Sequence, residues 1–249
     1  MPEMVTLERR EHACVVRLRR DDKLNAISSE MERALCDAVA SDEVRDAPCV
    51  IFTGGPRAFS AGADLHEWSD YTPGEIIGSY RGTGDFAERI ADLPQPTLSA
   101  IAGWCVGGGL ELALATDFRI AEHSAKFRLP EVALGILPSW GGTQRLVRLL
   151  GPVRAKELIL LREQVDPVEA LRIGLVTEVV GEGEALGRAL ELAGRLAGLP
   201  PLAVSVTRQV IDALPETSRT AGLALERLAY GMLAQTREAS EALAQRRPE

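Results

Sequence analysis

Residues 102–112 read AGWCVGGGLEL, a run of glycines between a predicted buried strand and a predicted helix. A helix that begins directly after such a run presents backbone N–H groups without intrahelical partners at the positive end of its dipole. These groups favour negative charge, and an enolate oxygen suits them as well as a phosphate does. The alternative interpretation is structural, because only glycine permits a helix and a strand to pack this closely.

A second stretch of small residues lies upstream, in the segment FSAGADL at residues 59–65. It follows a short apolar run at residues 48–53, which predicts a buried strand, and a Gly-Gly-Pro turn at residues 54–56. Because residues 60–63 carry small side chains, another molecule can approach the backbone closely there. A plain loop between a strand and a helix is the competing interpretation.

A third stretch, LPEVALGILPSWGGTQRL at residues 129–146, places an acidic side chain in an apolar setting. The carboxyl of Glu131 is either partly buried or at a pocket rim, and an exposed glutamate at a turn is the alternative. Burial raises the pKa of a carboxyl, which suits general acid–base work. Together with Glu111, the three stretches form one coherent set: two N–H groups can hold a thioester oxygen, and two carboxyls can hold a water and move a proton.

The rest of the pattern predicts an α/β fold. Strands are predicted at residues 4–9, 13–19, 48–53, 96–102, 117–121, 125–129 and 175–180, and helices alternate with them before a mostly helical region that begins near residue 141. Ser29 and Glu32 predict a capping box for a helix from about residue 30 to 40. Asp166 as cap, with Pro167 at the first position and Glu169 closing the box, predicts another helix start.

Composition restricts the possible partners. The chain has 249 residues and a net charge of −8, which opposes binding to nucleic acid through phosphate contacts, and only 4% of its residues are aromatic. The basic residues near the start predict a solvated face, or alternatively a positive rim beside a phosphorylated ligand; they are Arg9, Arg10, Arg17, Arg19 and Arg20. The stretch at 98–116 contains four glycines and Glu111, so a membrane span is not expected.

The cysteines predict a reducing compartment. Cys14, Cys36, Cys49 and Cys105 lie in apolar runs, and none of them forms a Cys-x-x-Cys pair, so we expect buried free thiols. The first residues, MPEMVTLERREH, contain no apolar core of a secretory signal. We therefore expect a cytoplasmic protein that binds neither membranes nor nucleic acid.

The segments FSAGADL, GGGLELALATDFRIA and LPEVALGILPSWGGTQRL, in this order, resemble the crotonase (enoyl-CoA hydratase/isomerase) superfamily. The resemblance runs from KLNAI at residues 23–27 to the late helices. It implies a spiral of ββα units at residues 1–190, which holds the active site, and a helical trimerisation region at residues 191–249. It also implies a homotrimer or homohexamer, an acyl-CoA thioester as substrate, and no separate cofactor, since CoA is part of the substrate.

The resemblance also assigns site residues. It implies that the backbone N–H groups of Ala63 and Gly108 form an oxyanion hole. The positions that it implies for substrate binding are Lys23, Ala26, Ala61, Asp64, Leu65, Gly107, Pro130, Ser139 and Trp140. Hydratases of the superfamily carry two catalytic glutamates, and Glu111 and Glu131 match both. We therefore expect a hydro-lyase that adds water across the double bond of an enoyl-CoA.

Some positions depart from the family pattern. Ser139 stands where the family usually has a glycine near the catalytic water, and Trp140 is large for its place and is expected to narrow the pocket. The segment at 238–249 lacks the usual Gly and Phe before its basic end, so a contact with CoA is not expected there.

The sequence is also compatible with other functions. An enoyl-CoA isomerase would use Glu131 alone as its base, and a non-catalytic homologue would only bind acyl-CoA or RNA. A serine hydrolase built on Ser60 lacks a Gly-x-Ser-x-Gly elbow and a histidine at a related spacing. Gly82-Thr83-Gly84 does not follow a strand, so a dinucleotide site is not expected, and no metal-ligand spacing occurs.

Overall fold

The computed structural model of the chain describes residues 4–68, 71–80, 82, 85–162 and 164–244. In this part the strands are β1 (Val5–Arg9), β2 (Cys14–Leu18), β3 (Val50–Thr53), β4 (Ala58–Ser60), β5 (Thr97–Ile101), β6 (Trp104–Val106), β7 (Phe118–Glu122), β8 (Lys126–Arg128) and β9 (Glu178–Val180). The helices are α1 (Ser29–Ala40), α2 (Asp42–Arg45), α3 (Leu65–Trp68), α4 (Pro73–Ser79), α5 (Phe86–Ala91), α6 (Gly108–Leu114), α7 (Gly142–Lys156), α8 (Pro167–Arg172), α9 (Ala185–Ala197), α10 (Pro201–Ala213), α11 (Arg219–Leu233) and α12 (Arg237–Ala244). Short 3₁₀ segments cover Asp21–Lys23, Glu131–Leu134 and Leu214–Glu216, and a π-helical segment covers Glu157–Leu161.

The strands form two sheets whose members alternate along the chain. The large sheet has the order β1-β2-β3-β5-β7-β9 and the small sheet the order β4-β6-β8. β1 and β2 pair antiparallel, and the other pairs are parallel. Each of the pairs β3–β4, β5–β6 and β7–β8 gives one strand to each sheet before helical structure follows. The predicted α/β spiral of ββα units is therefore confirmed.

The central strands of the large sheet are buried on both faces. Val16 and Phe52 point into the larger hydrophobic cluster, whereas Val15 and Ile51 pack against the alanine-rich face of α9. Successive side chains of a strand point to opposite faces, so a sheet that is covered on both sides has continuous apolar strands. The alternation predicted for residues 13–19 is accordingly weak: within β2 only Arg17 is half-buried, and the other residues are buried.

The start of α1 differs from the prediction. The cap is Ser28, whose hydroxyl accepts a hydrogen bond from the N–H of Met31 at 3.2 Å. The predicted capping box of Ser29 and Glu32 is therefore wrong by one residue. The N–H of Ser29 donates instead to the carboxylate of Glu67 at 2.7 Å, so a tertiary contact takes this donor.

The start of α8 agrees with the prediction except for one contact. Asp166 caps the helix by accepting from the N–H of Glu169 at 2.9 Å, and Pro167 occupies the first turn. The carboxylate of Glu169 does not close a capping box, because it pairs with Arg162 and Arg172.

The last strand is shorter than predicted. The prediction began at residue 175, but β9 covers only Glu178–Val180. The N–H of Leu175 donates at 2.8 Å to the carbonyl of Ala170 near the end of α8, so this residue closes a helix instead of pairing with a strand.

The C-terminal helices extend from the core. Arg208 of α10 anchors them, because its guanidinium binds the carboxylate of Asp117 and the carbonyl of Ala91, both at 2.6 Å. Within α11 only Gly222 is buried. The division between residues 1–190 and 191–249 stays a prediction; residue 190 lies within α9, which packs on the large sheet.

All four cysteines are buried free thiols. In the described part of the chain, no single helix has both the length and the apolar character needed to cross a membrane. Ala185–Ala197 and Pro201–Glu216 meet these criteria only as a pair, bent by 108°.

Candidate active site

The two stretches of small residues meet at one end of the small sheet. β4 leads into residues 61–64 and the neighbouring parallel strand β6 leads into residues 107–108. A Cβ at Gly62 would lie 2.8 Å from the carbonyl oxygen of Val106 and 3.0 Å from the nitrogen of Gly108, so the two backbones touch. Gly62 has a φ of 89°, which also favours glycine. This contact brings Ala63 and Gly108, the predicted oxyanion donors, into neighbouring segments.

The N–H groups of Ala63 and Gly108 have no assigned acceptor among the described residues. Ile27 uses the backbone groups on either side of Ala63: it donates to the carbonyl of Gly62 at 2.7 Å and accepts from the N–H of Asp64 at 2.9 Å. Gly108 is the first residue of α6, where N–H groups have no partner within the helix. Both amides are therefore free to bind an external acceptor.

The loop that follows β4 is fixed by buried polar side chains. The hydroxyl of Ser60 donates to the carbonyl of Asn25 at 2.8 Å and accepts from the N–H of Gly62 at 3.1 Å. The side-chain amide of Asn25 donates to the carbonyl of Ala58 at 3.0 Å. Because Ser60 is fully buried and bonded twice inside the protein, it has no geometry for a hydrolase nucleophile.

An ion pair joins this loop to the segment before α1. The guanidinium of Arg20 binds the carboxylate of Asp64 at 2.7 Å and the carbonyl of Ala26 at 3.0 Å. Burial opposes ionisation of Asp64, but the hydrogen bond and the charge of Arg20 hold its pKa below the ordinary value. The basic cluster near the start is therefore not wholly a solvated face, because Arg20 is engaged here.

The two segments that carry the predicted CoA-binding positions lie side by side. The N–H of Ala61 donates to the carbonyl of Leu24 at 2.9 Å, which sets the two segments side by side. Lys23 is exposed at the end of its 3₁₀ segment, and Leu65 is 51% exposed at the start of α3. Their exposure leaves them accessible to a ligand.

Glu111 lies one turn into α6 and is held by a backbone turn. Its Oε1 atom accepts hydrogen bonds from the N–H groups of Trp140 and Gly142, both at 2.8 Å. The side chain is buried, and this burial raises its pKa to about 7, against the opposing effect of the Gly142 N–H group. The negative charge of Glu131 raises it further, and the Trp140 and Ser139 N–H groups oppose it.

Glu131 begins the 3₁₀ segment that follows Pro130, and its carboxyl points towards the glycine run. A Cβ at Gly107 would lie 2.7 Å from its Oε1 atom, and Gly107 has a φ of 52°. Its Oε2 atom is buried and has no hydrogen-bond partner within the described residues. Burial raises the pKa of this carboxyl, although its own backbone N–H group opposes the shift. Such an oxygen favours a proton or a bound water.

The two carboxyls interact. The charge of Glu131 disfavours ionisation of Glu111, and like charges at one site titrate as a coupled pair. Burial of both carboxyls and this repulsion therefore favour a proton shared within the pair. This is a suitable arrangement for taking a proton from one atom and delivering a proton to another.

Ser139 and Trp140 line the same site from the turn before α7. The indole of Trp140 is buried, and a Cβ at Gly108 would overlap it. The indole also meets the ring of Phe86 edge to face, with centroids 5.0 Å apart. The indole therefore packs against Gly108, and the narrowing of the pocket by Trp140 stays a prediction.

The hydroxyl of Ser139 accepts a hydrogen bond from the hydroxyl of Tyr80 at 2.6 Å. Burial raises the pKa of Tyr80, the bond to Ser139 opposes the shift, and the charge of Glu111 adds to it. Tyr80 therefore lies close enough to Glu111 to interact electrostatically with it. Ser139, which stands where a glycine was expected, thus joins the turn before α7 to the end of α4 by accepting this hydrogen bond.

Sequence reasoning missed several of these residues. Tyr80 and Gly142 were not predicted as site residues, and Arg20 was predicted only as part of a basic face, although each contacts a predicted site residue. The partner of Tyr80 lies 59 residues away and that of Arg20 lies 44 residues away, so no local spacing could reveal them. Gly142 lies in the segment at residues 129–146. The pair Gly141-Gly142 before a predicted helix could have indicated free backbone N–H groups there.

Within the described residues, no group of three or more His, Cys, Asp or Glu side chains is arranged to hold a metal ion. Thr83 and Gly84 of the Gly82-Thr83-Gly84 run lie outside the described residues. The absence of a separate cofactor stays a prediction.

Comparisons with known proteins agree on one family. The model of the enoyl-CoA hydratase/isomerase family matches residues 8–248. A short-chain-enoyl-CoA hydratase of Clostridium acetobutylicum is 36% identical over 247 residues, which cover 96% of this chain and 92% of the relative. A crotonyl-CoA hydratase of Syntrophomonas wolfei is 35% identical over 246 residues, which cover 97% of this chain and 94% of the relative.

A solved structure gives the same result. The crystal structure of an enoyl-CoA hydratase from Bacillus anthracis matches with a TM-score of 0.89 at 34% identity, covering 97% of this chain and 95% of that one. The fold is therefore that of solved enoyl-CoA hydratases. These matches confirm the resemblance predicted from the sequence, and the chain belongs to the enoyl-CoA hydratase/isomerase family.

Proposed function

We propose that this protein is an enoyl-CoA hydratase that converts a 2-enoyl-CoA into a 3-hydroxyacyl-CoA. The observation that carries the proposal is the pair of buried glutamates, Glu111 and Glu131, beside two backbone N–H groups without an assigned acceptor. Relatives named as crotonyl-CoA hydratase and short-chain-enoyl-CoA hydratase support it. An isomerase needs one base, whereas addition of water across a double bond uses both carboxyls.

In the proposed mechanism, the thioester oxygen lies between the N–H groups of Ala63 and Gly108. Negative charge grows on this oxygen as water attacks the β-carbon and an enolate forms. Donors that are already aimed at this position stabilise the transition state without reorganising, and one such donor contributes roughly 3–4 kcal/mol in other enzymes. The indole of Trp140 packs directly against Gly108, which helps to keep the N–H of Gly108 in place.

The two carboxyls then divide the proton transfers. Glu111, whose Oε1 atom is held by two N–H groups, takes the proton from water in its ionised form, which it reaches as the pH rises through its pKa of about 7. The unbonded Oε2 atom of Glu131 favours a protonated carboxyl, so it delivers a proton to the α-carbon. Water supplies the hydroxyl at the β-carbon and a proton that restores the pair, and no separate cofactor is consumed.

The CoA portion of the substrate is proposed to lie along the two adjoining segments on the protein surface. Lys23 and Ala26 lie on one segment, and Ala61, Asp64 and Leu65 on the other. Further positions contact the acyl end; these are Gly107, Pro130, Ser139 and Trp140. Because the carboxylate of Asp64 is occupied by Arg20, its contact with CoA is proposed to use the backbone.

We also propose a cytoplasmic homotrimer or homohexamer. The free buried thiols are typical of a reducing compartment. The apolar side chains that α11 exposes support association between copies of the chain.

The first experiment follows the absorbance of the conjugated enoyl thioester of crotonyl-CoA and identifies the product. We expect the wild type to form 3-hydroxybutyryl-CoA, and Glu111→Ala and Glu131→Ala each to lose at least about 100-fold in kcat. Glu191→Ala, which removes an exposed glutamate of α9, is the matched control and should retain full activity.

Each other outcome has a meaning. Double-bond migration without a hydroxylated product would assign the protein as an isomerase. Tight binding of acyl-CoA without turnover would assign it as a binding homologue. Retention of hydration by either glutamate variant would remove that residue from the mechanism.

A further inference from the structure

The turn at residues 139–142 controls the position of Glu111. It supplies both N–H groups that hold the Oε1 atom, and a Cβ at Gly142 would lie 2.7 Å from that atom. Gly141 has a φ of 91°, which few residues other than glycine adopt. A turn in this conformation, in contact with a buried carboxyl, requires support from its surroundings.

Arg145 gives that support from the first turn of α7. Its Nη1 atom donates to the carbonyl of Trp140 at 2.8 Å, so the same peptide region that binds Glu111 is held from its other side. Its Nη2 atom donates to the carboxylate of Glu88 on α5 at 2.8 Å and approaches the carbonyl of Ala87 at 3.4 Å. The side chain of Arg145 is only 13% exposed, whereas that of Glu88 is 64% exposed.

Contacts from the same helix, α5, also reach Gly108 of the predicted oxyanion hole through Trp140. Phe86, on α5, packs against the indole of Trp140, and this indole lies against Gly108. Arg145 therefore links α5, the turn and α7 around one residue, Trp140. The N–H of Trp140 faces the acid–base pair, its carbonyl faces Arg145, and its ring faces the glycine of the predicted oxyanion hole.

We propose that Arg145 is a positioning residue for the active site: its guanidinium holds the 139–142 turn so that two backbone N–H groups meet the carboxylate of Glu111. The inference deepens the proposed hydration and rests on it. Arg145 touches neither the substrate nor the reacting atoms in this proposal, and it acts through Trp140.

The surroundings of Glu111 permit a pH readout. From the neighbouring segments, Glu131 and the hydroxyl of Tyr80 interact with it electrostatically. Helix α5 contributes Glu88, paired with Arg145, and Arg89, paired with Asp85. Strand β6 contributes only the buried thiol of Cys105, and β4 has no titratable side chain. Neither Glu88 nor Arg145 contacts the Glu111 carboxylate in the described hydrogen bonds, so their effect passes through the turn.

Loss of the guanidinium has a defined consequence. The carbonyl of Trp140 loses its donor, the turn relaxes, and its N–H groups move away from Oε1 of Glu111. Because these groups lower the pKa of Glu111, that pKa rises further. Hydration requires ionised Glu111, so the acidic limb of the kcat profile moves to higher pH. We expect kcat to fall about 10- to 100-fold, because small displacements of catalytic groups have effects of this size, with little change in KM.

The experiment compares Arg145→Met with Arg148→Met. Arg148 lies on the same helix and pairs with Glu216 on the surface, so its variant removes an arginine ion pair without touching the turn. For both variants, kcat and KM on crotonyl-CoA are measured across pH, and thermal unfolding is recorded. A crystal structure of each variant gives the distance from Oε1 of Glu111 to the nitrogen of Gly142, a readout that needs no turnover.

The proposal is supported if Arg145→Met shows the lower kcat, the shifted acidic limb and the longer distance, and if Arg148→Met shows none of them. It is overturned if folded Arg145→Met keeps the wild-type pH profile and the 2.8 Å distance. If Arg145→Met does not fold, Arg145→Lys takes its place under the same criteria, because lysine keeps the charge but cannot span both acceptors. An inactive wild type with the expected crystallographic change would refute the hydration and leave the positioning role intact.

Discussion

At the scale of single residues, Glu111 occupies a position that stability alone would not favour. A buried carboxylate loses its hydration, and the two N–H groups at 2.8 Å compensate for only part of this loss. The pKa of about 7 lies above the ordinary value of 4.5, so the folded protein binds more protons than the unfolded chain between these values. Stability therefore falls as pH rises from 4.5 to 7, and the cost is fully present above that range.

Glu111→Gln should reveal this cost. The amide oxygen still accepts both N–H bonds, but the side chain no longer carries a charge. We expect the variant to be inactive and more stable than the wild type by about 3 kcal/mol near pH 8, and by only about 1 kcal/mol near pH 5. Urea unfolding at both pH values measures the difference. An equal effect at the two pH values, or a loss of stability near pH 8, would contradict the raised pKa.

At the scale of elements, the site depends on two loops that touch where parallel strands β4 and β6 end. Gly62 and Gly107 have positive φ values, and a side chain at either position would push into the opposite loop or into Glu131. The separation of the Ala63 and Gly108 amides is therefore set by backbone contact. This explains why a glycine directly precedes each predicted oxyanion donor: Gly62 precedes Ala63, and Gly107 precedes Gly108.

Gly62→Ala should separate the two amides. A Cβ there would lie 2.8 Å from the carbonyl of Val106 and 3.0 Å from the nitrogen of Gly108. If the variant folds, we expect kcat on crotonyl-CoA to fall about 100-fold or more, as when one oxyanion donor is lost.

The matched control is Gly183→Ala, whose φ of 79° imposes a similar backbone strain but whose Cβ would meet nothing within 4 Å. The control should lose some stability and keep its kcat. An unchanged kcat in Gly62→Ala would refute the role given to these two amides.

At the scale of the whole molecule, the C-terminal helices are incompletely packed within one chain. Among the residues of α11, only Gly222 is buried, while Leu228 is 74% and Met232 is 49% exposed. These two side chains lie four residues apart and share one helix face. A helix with so little burial gains little stability from its own chain, which fits the proposed trimer or hexamer.

Leu228→Asp combined with Met232→Asp should weaken association. With chains of 26.8 kDa, light scattering after size-exclusion chromatography should give a mass of about 80 kDa for a wild-type trimer or about twice that for a hexamer. We expect the double variant to have a lower mass and a lower Tm, because two charges would enter an apolar interface. A wild-type monomer would refute the oligomer, and an unchanged mass in the variant would place the interface elsewhere.

The sequence by itself determined the α/β class and the small-residue stretches, because these depend on local periodicity and on backbone freedom that only glycine has. The spiral of ββα units followed from the resemblance to the crotonase superfamily. It also identified Glu111 and Glu131, since a carboxyl within an apolar run is unusual. The cap of α1 and the length of β9 were mispredicted where a tertiary contact or a helix end took the expected donor.

Only the tertiary structure decided how these parts act on one another. Glu111 meets its donors 29 and 31 residues away, Tyr80 meets Ser139 59 residues away, and Arg145 meets Glu88 57 residues away. Such contacts depend on how separate helices and turns pack around a common core, and they leave no periodic signature in the chain. The candidate catalytic residues are therefore readable in the sequence, whereas their orientation and their pKa values follow from packing.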